Sequence, residues 1–136
     1  MRHTAKAYFK PEHRAHPILL TTPDDIDHLL TALAAESWQN SVAAIYIDGR
    51  TTHTGVPDHE LQIAVDYADK TTGALRYTAH DGTYFTKGTS TTGDSVVYFY
   101  MGNEVEYPRD SVVPIEDIRT AVNHFLETGE RLMQRG

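Results

Sequence analysis

Between Val42 and Met101 the chain carries a succession of short segments with strand character, separated by turn-rich connections rather than by helical patterns. Val42 to Asp48 is apolar enough to lie centrally in a sheet. In the next segment Leu61, Ile63 and Val65 alternate with Gln62, Ala64 and Asp66, the period-two signature of a strand with one buried face. Leu75 and Tyr77 form a further segment, and Asp81-Gly82 marks a tight turn before Tyr84 and Phe85. Val96 to Met101 (VVYFYM), rich in β-branched and aromatic residues, is the most strand-like run of all. Lys6 to Lys10 and Ile18 to Leu20 add two short strands near the N-terminus, and Thr86 to Ser95 reads as a loop. Successive strands joined by short turns pair antiparallel, because parallel neighbours need long crossovers.

Two helices announce themselves by punctuation. Thr22 is an N-cap, Pro23 takes the first helical position, and Asp25 completes a capping-box spacing. Ile26, Leu29, Leu30 and Leu33 then recur on one face. The second helix starts near Pro114, has Glu116 and Asp117 in its first turn, and stops near Gly129. Its apolar stripe is Ile115, Ile118, Val122, Phe125 and Leu126. Two such stripes need an apolar surface, and one sheet face provides it. The sequence therefore predicts an α+β fold: a mainly antiparallel sheet of about five to seven strands, with two main helices packed on one face. The other face is left to be solvated or to bind something. With 136 residues and no linker or repeat, residues 1–136 read as a single domain.

Chemistry is hard to find. The chain has no cysteine, which removes disulfides, thiol nucleophiles and cysteine-ligated zinc. It has neither a phosphate loop nor a GxSxG elbow. The densest ligand cluster, His53, Asp58, His59 and Glu60, runs into a strand, where His59 and Glu60 point to opposite faces. These residues read as solvated loop side chains; a small metal-dependent hydrolase built on them is the alternative. The expectation is no enzyme, no catalytic residues, no metal and no cofactor. No apolar run is long enough for a membrane span or a signal peptide, so the chain reads as cytoplasmic.

The net charge of −7, from 19 acidic and 12 basic residues, disfavours nucleic acid and favours a basic protein as partner. Between Asp94 and Asp117, six acidic residues stand against Arg109 alone, a local charge of −5. Tyr98, Phe99, Tyr100, Met101 and Tyr107 share that stretch, with Gly102 and Asn103 as a turn. Rings that anchor beside carboxylates that steer make a protein-binding surface. The candidate contacts are Asp94, Tyr98, Tyr100, Asn103, Glu104, Glu106, Tyr107 and Asp110. Tyr98 and Tyr100 are preferred to Phe99 because they share one strand face and carry hydroxyls suited to a half-wet interface. The plainer reading puts alternate residues of VVYFYM in the core and leaves the acids as solvated turn and helix-start charges.

The segment from Tyr98 to Leu132 resembles the C-terminal half of an actinobacterial immunity family of polymorphic toxin systems. That family is the first of the numbered immunity families and is associated with deaminase-fold toxins. Its aromatic strand ending in Gly falls on Tyr98 to Gly102, and its acidic-aromatic-Pro turn on Glu106-Tyr107-Pro108. Val113-Pro114 opens its helix, which closes with Phe125-Leu126 and Gly129. Ser41 to Arg50, Gly55 to Asp66, Gly73 to Thr78 and Tyr8 to His13 are similar to the family's remaining strands. Many relatives continue to a Pro and a Trp after the last glycine, where this chain runs from Gly129 to Gly136 without either. The resemblance implies an antidote that binds the catalytic domain of a cognate toxin, a basic protein. It would cover the toxin's active site or substrate groove. Apart from the resemblance, the chain is expected to be a monomer or weak homodimer. A generic adaptor is the remaining alternative.

Overall fold

A computed structural model describes residues 2–90, 93–132 and 134–135. Thr91 and Thr92 of the expected loop lie outside these residues, as do Met1, Met133 and Gly136. In chain order the elements are β1 (Ala5–Tyr8), β2 (Ile18–Leu20), α1 (Pro23–Ala34), β3 (Val42–Ile47), β4 (His59–Val65), β5 (Thr72–Ala79) and β6 (Gly82–Phe85). There follow β7 (Ser95–Tyr100), β8 (Asn103–Pro108), β9 (Val113–Pro114), α2 (Ile115–Thr128) and β10 (Gln134–Arg135). The main sheet runs β10-β6-β5-β4-β3-β1-β2, every pair antiparallel, and β9 adds a short pairing to β5. This is the α+β architecture that the sequence predicts, with β3 in the sheet interior.

Both helices begin where their punctuation says, and α2 also ends there. The Asp25 carboxylate accepts the backbone N–H groups of Thr21 (2.8 Å) and Thr22 (3.0 Å), satisfying donors that α1 leaves open. These bonds hold the Asp25 carboxyl below its ordinary pKa, the Thr21 bond first among them. Pro114 is the N-cap of α2, and Gly129 ends it in the left-handed conformation at φ 77°. Ile26, Leu29, Leu30 and Leu33 of α1, and Ile118, Val122, Phe125 and Leu126 of α2, are all buried. They join Ile45, Leu61, Ile63, Leu75 and Tyr77 from one sheet face in a single core. Burial of each large side chain there contributes about 1.5–3 kcal/mol.

The second sheet face is not simply open, and here the expectation needs correction. β7 and β8 form a separate two-stranded ribbon that lies across it. Val42, Ala64 and Ala74, small residues on that face, leave room for the rings of Tyr98 and Tyr107 in a second core. Gln62 is buried under the same ribbon. Strand β4 is therefore buried on both faces along most of its length, not half-buried.

The ribbon also revises the expected turn. The hairpin loop is Met101-Gly102, with φ of 48° and 82°, the positive pair that suits the right-handed twist of a two-residue hairpin. Asn103 is already strand, paired with Tyr100. At the other end of the chain, β10 pairs with Tyr84 and Phe85 of β6, so part of the tail extends the sheet.

Candidate functional site

The ribbon carries most of the residues singled out in the sequence, and its strand parity sorts them into two sets. Val96, Tyr98 and Tyr100 of β7, with Val105 and Tyr107 of β8, face the sheet. Tyr98 and Tyr107 are 2% and 1% exposed and meet edge to face at 5.1 Å. The Tyr107 hydroxyl donates to Gln62 Oε1 at 2.9 Å. The Tyr98 hydroxyl has no partner among the described residues, and burial pushes its pKa up to about 12. Tyr98 and Tyr107, expected on the binding surface, are thus core residues. Small side chains in the sheet below decide which ring face turns inward. Tyr100 is half-buried at the edge of the same cluster.

The opposite parity makes the outer surface. Val97 stands across from Glu106, and Phe99 across from Glu104. Phe99, set aside in the sequence reading, belongs to this side, and Trp38 packs edge to face against it at 4.7 Å. Trp38 remains 45% exposed. Its neighbourhood is fixed by backbone: Ser41 N–H donates to Phe99 O and Phe99 N–H to Ser41 Oγ, both at 2.9 Å. Gly102 N–H donates to Gln39 O at 2.8 Å. Trp38 was missed because it sits alone in a polar segment 61 residues from its ring partner.

The acids disperse more than their sequence proximity suggests. Asn103, Glu104 and Glu106 are exposed on the ribbon, and Asp94 is exposed just before it. Asp110 is half-buried and forms an ion pair with Lys87. Glu116 pairs with Arg119 on α2, and Arg119 also reaches Asp27 of α1 at 2.6 Å. What remains together is a surface of two carboxylates beside Val97, Phe99 and Trp38. Acidic rim groups around aromatic anchors are characteristic of protein contacts.

The histidine cluster is taken apart by the strand it enters. His59 is 4% exposed on the helix side, between Tyr77 and Phe125. Ile47 N–H donates to its Nε2 at 2.9 Å, so the ring proton sits on Nδ1 and bonds Asp58 Oδ1 at 2.8 Å. Burial lowers the His59 pKa, and the bond from His59 holds the Asp58 carboxyl below its usual range. Glu60 lies on the opposite face, accepting from Tyr46 Oη at 2.6 Å and Gln62 Nε2 at 2.8 Å. Among the described residues, no three His, Asp or Glu side chains converge to share an ion.

Fold and surface together define an α+β protein whose sheet is held between two helices and an acidic, aromatic ribbon. A family profile described as immunity protein Imm1 matches residues 14–131, most of the chain. The chain belongs to the Imm1 family of immunity proteins. A search of curated proteins finds no match. Family membership makes a toxin the general class of partner. Among the described residues, no helix is long and apolar enough to cross a membrane.

Proposed function

We propose that this protein neutralises a cognate polymorphic toxin in the cytoplasm by covering the active site or substrate groove of its catalytic domain, a basic protein of deaminase fold. The observation that carries the reading is the outer ribbon surface, where Glu104 and Glu106 stand across the strands from Phe99 and Val97, with Trp38 exposed alongside. A toxin that acts on nucleic acid needs a positively charged groove, and an acidic cover fits it electrostatically. Asp94 and Asn103 extend the contact surface at the two ends of the ribbon, Tyr100 and Asp110 form its rim, and the rings anchor it. The protein acts by binding and not by turnover, as a monomer or weak homodimer, and needs no cofactor.

The test is binding and rescue with the toxin domain encoded beside this chain. Capture of that domain and survival of intoxicated cells support the reading. Absence of both would sink it. Turnover of a small substrate, or stoichiometric metal in the purified protein, would instead favour the hydrolase.

A further inference from the structure

The two edges of the ribbon are finished differently. On the β7 side, Phe99 turns its N–H and C=O outward to Ser41, and residues 38–40 run alongside. A residue whose backbone groups point away from its partner strand belongs to a non-hydrogen-bonded pair, so Glu104, across from Phe99, has that phase. Its own N–H and C=O then point away from β7, and those of Glu106, two residues on, do the same. Among the described residues, β8 pairs with no strand but β7. Among the described residues, no backbone bond reaches the outer groups of Glu104 or Glu106. This is an unpaired strand edge carrying exposed glutamates, ending at Pro108.

We infer that β8 is the docking edge for an extended segment of the toxin, which adds to the ribbon as a third strand. The inference rests on the proposed function and supplies its mode of contact. Main-chain bonds to Glu104 and Glu106 hold the segment, and its alternate side chains set specificity. Those on the outer face lie beside the two carboxylates and are basic. Those on the inner face look toward Phe85, which packs on Tyr107 at 5.9 Å, and are apolar. A second copy of this chain is the wrong occupant, because pairing β8 with itself sets glutamates against glutamates. Charged edge residues suppress such self-pairing while leaving a basic strand welcome.

Amide exchange, read residue by residue by NMR on the full chain with and without excess toxin domain, tests this directly. The Glu104 and Glu106 amides should slow about ten-fold or more on binding, with little change at Val105 and Tyr107, which already bond to β7. In parallel, Glu106→Pro removes an outward donor and blocks the edge without breaking a ribbon bond. It should weaken binding about ten-fold or more, and Glu106→Gln should weaken it less. A complex in which the Glu104 and Glu106 amides exchange as fast as in the free protein overturns the docking edge and leaves the immunity reading standing. A wild-type chain that does not bind the domain at all overturns both. The exchange measurement needs no variant, so it decides even if the proline substitution unfolds the ribbon.

Discussion

Replacing Tyr98 and Tyr107 one at a time by phenylalanine separates a core role from a contact role. Both rings are buried under the ribbon, yet their hydroxyls differ: Tyr107 donates to Gln62 Oε1 at 2.9 Å, and Tyr98 has no partner among the described residues. Tyr107→Phe leaves the Gln62 carbonyl buried without its donor, a loss of about 1–2 kcal/mol. Tyr98→Phe removes a hydroxyl whose desolvation nothing offsets, so its effect should be within about 0.5 kcal/mol of zero or stabilising. For a chain of this length the first change lowers Tm by about 3–6 °C and the second leaves it nearly unchanged. Urea titration followed by circular dichroism measures both, with the slope expected to stay constant so that midpoints report stability. Toxin affinity should be unchanged in each folded variant. Equal destabilisation by the two substitutions would refute the hydrogen-bond argument. A large loss of toxin affinity with stability intact would return these tyrosines to the contact surface.

Further outcomes follow from the buried groups. His59 has its folded pKa lowered by burial below the ordinary value of 6.5, so the unfolded chain takes up the proton first. Its contribution is complete above that value and declines as pH falls below it toward the folded pKa. Urea midpoints at about pH 7.5 and 5.5 should differ in that direction, and the difference should shrink in His59→Gln. The Asp58 carboxyl is depressed, so its share persists at these pH values and is lost only in stronger acid. A methyl group at Gly88 would overlap the Val112 carbonyl oxygen, whereas one at Gly93 meets nothing within 4 Å among the described residues. Gly88→Ala should therefore cost about 1–3 kcal/mol and Gly93→Ala under about 0.5, as judged by thermal melts.

Much of the fold was legible because local signals agreed with one another. Thr22-Pro23 with Asp25, and Pro114 with Gly129, bracket stripes whose period fits only helices. Leu61, Ile63 and Val65 told which residues share a face, and the opposition of His59 to Glu60 followed from the same period. The site was harder. In VVYFYM both parities are apolar or aromatic, so periodicity alone cannot choose the inward set. Val42, Ala64 and Ala74 make that choice, and they come from three other strands. β8 did carry a period-two signal, Glu104-Val105-Glu106-Tyr107, but its low strand propensity let it pass for an acidic turn. Trp38 had no local signal, since only tertiary structure brings it to Phe99.

The most direct trial of the outer ribbon surface is the association rate with the toxin domain, measured at low and physiological salt for the wild type and for Glu104→Lys/Glu106→Lys. Steering by the acidic surface predicts an association rate about ten-fold or more lower at low salt, a weaker salt dependence, and a smaller change in dissociation. A charge-reversed ribbon that associates as fast as the wild type, with the same response to salt, would contradict it.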